Sequence, residues 1–145
     1  GQRVCKVGVP DCLGCPVVSF CQTREPGLLP VKGRKIELTR VDEHALWLRD
    51  GDGRILLERE AGPRRTGLWK LPLRGVEEIG HLPMIASSEY CITRYRVSLK
   101  VYQGHHEDFV HEASEQVTWF DVEEIIPLQM AAPFRRMLTH LMAEF

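Results

Sequence analysis

No stretch of this sequence is apolar for long enough to cross a bilayer, and no basic segment followed by an apolar run stands near its start. Neither a membrane span nor a secretory leader is expected. Excess charge is missing as well. With Lys+Arg 19 against Asp+Glu 20 the formal net charge is -1, so no global field steers the chain to nucleic acid and any grip on phosphate must come from local basic patches. Cysteine is scarce over most of the length: only Cys91 lies beyond position 21. A secreted disulfide scaffold would spread its cysteines through the fold. The expected setting is therefore a reducing compartment, the cytoplasm of a bacterium or the nucleus or mitochondrion of a eukaryote. What the chain does have is 43% hydrophobic residues in a length of 145. That suffices for the core of one ordinary domain, or a smaller one with an appendage, and excludes a disordered chain.

Four of the five cysteines, Cys5, Cys12, Cys15 and Cys21, form a C-x6-C-x2-C-x5-C run. Packing needs no such density of thiols. Thiolates are soft donors that favour zinc or an iron–sulfur cluster over magnesium or calcium. Between the inner pair, Leu13-Gly14 provides a glycine that lets the backbone turn tightly, with Pro10 and Pro16 on either side. Zinc modules more often show two close cysteine pairs set apart by a longer stretch, and only Cys12 and Cys15 fit that pattern; disulfides are the remaining alternative. The intervals resemble the cluster loop of the helix-hairpin-helix DNA glycosylases. That resemblance implies a 4Fe-4S cluster on these four residues, with its loss or replacement by zinc as the alternative in an isolated piece. Such a loop closes onto preceding helices, and so a piece of a longer protein is expected.

Residues 1–24 thus read as a cluster loop with little core. Residues 25–35 carry the prolines and glycines of a linker, and Lys32, Arg34 and Lys35 within it either reach phosphate or only solvate the connector. From residue 36 to 145 the pattern is that of strands and turns. Apolar runs on either side of Asp50-Gly51-Asp52-Gly53 predict a β-hairpin, and Gly67-Leu68-Trp69-Lys70-Leu71-Pro72 predicts a short strand ended by the proline. Residues 88–102 predict one strand, in which positions 94–101 alternate strictly: Tyr95, Val97, Leu99 and Val101 on one face, Arg94, Arg96, Ser98 and Lys100 on the other. The basic face suits a phosphate-binding edge, or merely keeps a half-exposed strand soluble. Cys91 reads as a small packing residue. His105, His106 and His111 read as part of a solvated loop. Val117-Thr118-Trp119-Phe120 predicts a strand, Asp121 and Glu124 a helix cap, and Phe134, Met137, Leu138, Leu141 and Met142 a final amphipathic helix.

Leu56-Leu57-x-Arg59 followed by Gly67-Leu68-Trp69-x-x-Pro72 resembles the front of a Nudix fold. The Nudix box, G-x5-E-x7-R-E-U-x-E-E-x-G-U, gathers glutamates on one helical face to hold a divalent metal beside a diphosphate. Here Arg74-Gly75-Val76-Glu77-Glu78-Ile79-Gly80 echoes only its tail, one residue short, with no upstream glutamate at the required offset. Glu77 and Glu78 are expected to be surface charges on a single helical turn.

Taken together, the chain resembles the C-terminal part of MutY-type adenine DNA glycosylases, in which the cluster loop is followed by a linker and a Nudix-like (MutT-like) domain. The resemblance implies an α+β fold, a mixed β-sheet with flanking helices preceded by the iron–sulfur loop. It also implies a role in base excision repair: recognition of 8-oxoguanine opposite adenine in double-stranded DNA by a monomer, with the catalytic residues on helices outside these residues and no excision by this chain alone. The family's Phe-Ser-His recognition loop falls on Ile92-Thr93-Arg94, where Thr93 keeps the hydroxyl while the aromatic and the histidine are replaced. Ile92, Thr93, Arg94 and Arg96, with Lys32, Arg34 and Lys35, are the expected DNA contacts. The alternatives from other classes are a Nudix hydrolase of nucleoside diphosphate derivatives and a zinc-binding interaction module. Metal analysis after anaerobic purification separates the last of these from the cluster reading: a brown protein with iron and acid-labile sulfide is expected, and a colourless one with zinc would contradict it.

Overall fold

The computed structural model describes residues 3–31, 33, 37–63, 65–112 and 116–145, with only the backbone described at 110–112. It divides into two compact units, Gly1–Ile36 and Glu37–Phe145. Lys32, Arg34 and Lys35 lie outside the described residues.

The first unit is held by turns. Asp11 N–H donates to the Val4 carbonyl at 2.9 Å, and Gly14 N–H donates to the Asp11 carboxylate at 3.0 Å. Cys15 N–H then closes onto the Cys12 carbonyl at 3.3 Å, and short 3-10 turns follow at Val18–Phe20 and Pro26–Leu28. None of its described residues is buried. Val7, Val9, Leu13 and Phe20 are all more than three-quarters exposed, so burial of apolar surface contributes little to holding this unit together.

The second unit has a real core, and the period-two pattern explains how one chain fills it on two sides. Strands β1 (Thr39–Trp47), β2 (Ile55–Arg59), β3 (Trp69–Lys70), β4 (Met84–Ile92), β5 (Tyr95–Gln103) and β6 (Val117–Phe120) form two three-stranded sheets, ordered β1-β5-β4 and β3-β2-β6. β1 runs parallel to β5 from Thr39 opposite Tyr95 to Trp47 opposite Gln103, and β4 and β5 make an antiparallel hairpin. Successive residues of a strand point to opposite faces. Ala45, Trp47, Ile55, Leu57, Val97, Leu99 and Val101 accordingly enter one apolar cluster, while Leu46, Leu48, Leu56 and Tyr102 enter the other. Helix α3 (Ala132–Glu144) closes the first cluster with Phe134, Met137, Leu138 and Leu141, the stripe expected from its sequence. The one-turn helix α1 (Val76–Ile79) closes the second with Ile79. The third helix, α2 (Val122–Ile125), starts at a capping box in which Asp121 N–H donates to Glu124 at 3.0 Å.

Four expectations are corrected. Residues 88–102 are not one strand: the chain reverses at Thr93-Arg94, where Thr93 takes φ 53°, and the stretch is shared between β4 and β5. Asp50 to Gly53 does form a tight turn, with Asp52 N–H and Arg54 N–H donating to the Asp50 carboxylate at 3.0 and 2.8 Å and Gly53 at φ 85°. It does not make a hairpin of the flanking strands: they are bridged only at Arg49 and Ile55, after which β1 goes to one sheet and β2 to the other. Both strands bury side chains on both faces, so each does better with a separate partner than with the other. Cys91 is exposed on β4 rather than packed. The histidine-rich segment is a 3-10 helix, His106–Glu112, rather than an irregular loop.

Leu138 is fully buried in the larger cluster. Leu138→Ala is expected to destabilise the second unit by about 2–5 kcal/mol, measured by urea denaturation followed by tryptophan fluorescence.

Candidate functional site

The hairpin joining β4 to β5 has a two-residue tip, Thr93-Arg94, because Ile92 pairs with Tyr95. Thr93 sits at φ 53°, in the left-handed region where a β-branched residue is strained by about 1–2 kcal/mol. The cost is tolerated because the strands on both sides fix the tip: Thr39 N–H of β1 donates to the Arg94 carbonyl at 2.8 Å. Thr93 and Arg94 are exposed and Ile92 is half-buried. The structure thus brings Ile92, Thr93 and Arg94 together at one projecting point.

The basic face of β5 is less available than its sequence suggests. Arg96 donates two hydrogen bonds to Glu89 of β4, at 2.9 and 2.7 Å, and Lys100 lies 3.1 Å from Asp42 of β1. Cross-strand carboxylates partly neutralise the row and leave Arg94 as its most projecting cation.

Beside the tip lies an open groove of about 280 Å³ lined by Val41, Glu43, Glu60, Arg65, Ile92, Tyr95 and Val97. Its polar groups are held in place. Tyr90 Oη donates to Glu43 at 2.6 Å; burial first, then this bond and the Glu43 charge, push the phenol well above its ordinary pKa against the opposing pull of Arg65, so it remains a proton donor. Arg65, also in the left-handed region at φ 63°, holds its guanidinium 5.9 Å from the centre of the Tyr90 ring. Glu60 accepts from Lys70 Nζ at 2.7 Å and from Gly62 N–H at 3.1 Å. Burial works against its ionisation, but these bonds and the charges of Lys70 and Arg65 outweigh it and hold the carboxyl below the usual range.

Lys70 is buried, 8% exposed, and such a charge persists only when paired. Besides Glu60 it lies 3.6 Å from Glu58, its partner across the β2–β3 ladder, and Glu58 in turn accepts from Arg74 at 2.8 Å. Glu43, Glu60, Arg65, Lys70 and Tyr90 carried no signal in the sequence. Tyr90 and Glu43 are 47 positions apart, and the pairing of Glu60 with Lys70 becomes legible only once β2 and β3 are known to be neighbours.

Glu77 and Glu78 are both exposed on the single turn of α1, as the truncated box implies. Arg74, at the place of the box arginine, is committed to Glu58 and to the Leu73 carbonyl.

In the first unit all four N-terminal cysteines are free; Cys5, Cys12 and Cys21 are exposed and Cys15 half-exposed. No group of three or more His, Cys, Asp or Glu side chains among the described residues is arranged to hold a metal ion. The donor set nevertheless suits a soft-metal centre. Four unoxidised thiols lie on a unit with no buried residue among those described, which is where a metal crosslink would add most.

No family model matches the chain. Solved structures do. The NUDIX domain of NrtR from Shewanella oneidensis, complexed with ADP ribose, aligns at a TM-score of 0.54 and 11% identity over 84% of this chain and 99% of that one. A mutT/nudix family protein from Listeria innocua aligns at 0.53 and 14% identity, over 74% of this chain and 94% of that one. The C-terminal domain of mouse MUTYH, solved in complex with human PCNA, aligns at 0.48 and 14% identity over 72% of this chain and 88% of that one, too distant a likeness to carry an argument. The fold is Nudix-like, a mixed α+β arrangement as expected from the sequence.

The depressed pKa of Glu60 gives a stability dependence of definite sign. A carboxylate whose folded pKa lies below its unfolded value contributes stability that is present above the unfolded pKa and lost as pH falls through the folded one. Melting temperature is therefore expected to fall on acidification below about pH 4.5, and Glu60→Gln is expected to shrink that fall while lowering stability near neutrality, where Lys70 loses its closest counter-charge. Thermal melts across pH check both.

Proposed function

We propose that this chain is the C-terminal part of a MutY-type adenine DNA glycosylase, in which the second unit reads 8-oxoguanine opposite adenine and holds the duplex. The observation that carries the reading is a Nudix-like fold in which the box helix is one turn with two exposed glutamates, while the hairpin tip and the groove beside it are held in place by strand pairing and ion pairs. Such a domain recognises a nucleotide more readily than it hydrolyses one, since the carboxylates needed to cage a metal at a diphosphate are not gathered on α1. The order of the chain supports this: a C-x6-C-x2-C-x5-C loop before such a fold is what the glycosylase reading expects and a free-standing hydrolase does not need.

In this reading Arg94 at the tip contacts a phosphate or a base edge, and the Thr93 hydroxyl donates to or accepts from the lesion. Ile92 and Tyr95 present apolar surface beside them. Glu43, oriented by Tyr90, faces the groove as a fixed hydrogen-bond acceptor, and Arg65 supplies positive charge at its wall. Cys5, Cys12, Cys15 and Cys21 would hold a 4Fe-4S cluster, whose part is to staple a unit that has little core. Lys32, Arg34 and Lys35 add charge to the connector. Excision of adenine belongs to a helical region outside these residues.

Fluorescence anisotropy with labelled duplexes tests the assignment. Tighter binding is expected for a duplex containing 8-oxoguanine opposite adenine than for its undamaged counterpart, with Arg94→Ala costing about 1–3 kcal/mol of binding to the lesion duplex. Equal affinity for the two duplexes, or magnesium-dependent release of phosphate from a panel of nucleoside diphosphate derivatives, would point instead to the hydrolase.

A further inference from the structure

The two edges of the β1-β5-β4 sheet are treated differently. The β1 edge is covered: Arg74 N–H donates to the His44 carbonyl at 3.0 Å, Leu46 N–H donates to the Pro72 carbonyl at 2.9 Å, and Leu73 bridges to Ala45. The β4 edge has no such cover. Among the described residues, no backbone hydrogen bond joins β4 to any element but β5. In a two-residue hairpin Ile92 and Tyr95 form a hydrogen-bonded pair, and the alternation of an antiparallel ladder then turns the N–H and C=O of Ser87, Glu89 and Cys91 outward. No proline or lysine stands at these positions to blunt the edge.

Between this edge and α3 runs a groove of about 330 Å³, lined by Ser87, Tyr90, Pro133, Arg136, Met137 and His140 among others. Tyr90 and Met137 are buried and form an apolar floor, while Arg136 and His140 are exposed on the wall. Among the described residues Arg136 makes no ion pair, whereas Glu89, the acidic lining residue, is already held by Arg96 at 2.7 Å. The unsatisfied charge of the groove is positive.

We infer that the open edge of β4 and the α3 groove receive an extended acidic segment of another protein, added as a further strand to the β1-β5-β4 sheet. Main-chain pairing with Ser87, Glu89 and Cys91 supplies affinity. An apolar side chain over Met137 and a carboxylate beside Arg136 supply selectivity. A second copy of this chain is a poorer occupant, because the acid it would bring to the edge, Glu89, is already held by Arg96 and offers Arg136 no free carboxylate. The two grooves have no lining residue in common, although Tyr90, on the floor of this one, holds Glu43 of the other; the inference does not depend on the glycosylase reading.

The probe is a capped peptide that carries valine and glutamate two positions apart, so that both fall on one face of the strand, with threonine between them; it is compared with its valine–lysine counterpart by NMR titration of the full chain. Saturable shifts confined to residues 87–91 and 133–140 are expected with the acidic peptide, with the basic one binding about tenfold more weakly. Arg136→Glu is expected to invert that preference. Glu89→Pro removes an outward N–H without removing a ladder bond, and is expected to abolish binding while leaving the melting curve cooperative. Absence of saturable shifts at millimolar peptide, equal binding of the two peptides, self-association through residues 87–91, or the same shifts produced by duplex DNA would each overturn the inference.

Discussion

The parallel pairing of β1 with β5 is the constraint on which the second unit depends. Nine consecutive residues of β1 match nine of β5 across more than fifty positions of chain, and parallel neighbours cannot be joined by a tight turn. Everything between them must fit inside that crossover: the Asp50 turn, the β3-β2-β6 sheet's first two strands, α1 and β4. The pairing has two results. It buries alternate residues of β1 and β5 on opposite faces, which is why there are two apolar clusters, and it places Val41 and Glu43 beside the strands that carry the hairpin tip.

The charged groups around the groove follow from that arrangement. Lys70 is nearly dry, and its ion pairs with Glu60 and Glu58 compensate desolvation that neither glutamate would repay alone. Arg74 extends the series to the second residue before α1. At the place where a longer box helix would present acids to a metal, the arginine is instead fastened to β2. The same ion pairs leave a groove with fixed acceptors beside a projecting cation.

Much of the secondary structure was legible, and for identifiable reasons. The alternation in residues 95–101, the Asp121/Glu124 cap and the Phe134–Leu141 stripe are local periodicities that survive in any tertiary context able to cover one face. The Asp50-Gly51-Asp52-Gly53 turn was equally legible, but the hairpin inferred from it was not there, since turn chemistry dictates a reversal of direction and says nothing of whether the flanking strands remain paired. Of the candidate site, Ile92, Thr93 and Arg94 were singled out through the family resemblance alone, and only the structure places them at the tip of a hairpin. Arg96 and Lys100 were found as well, but not the carboxylates that occupy them.

By itself the sequence determined the thiol-rich loop, the broken glutamate motif, the strand alternation and the last helix, because each is a matter of residue type at short spacing. Only the tertiary structure decided which edge of the sheet is covered, which cations remain unpaired, and that Tyr90, Glu43 and Arg65 share one wall. These depend on contacts between residues tens of positions apart. Their geometry is set by strand register and by the cost of leaving a buried polar group without a partner, neither of which is written in any short segment of the chain.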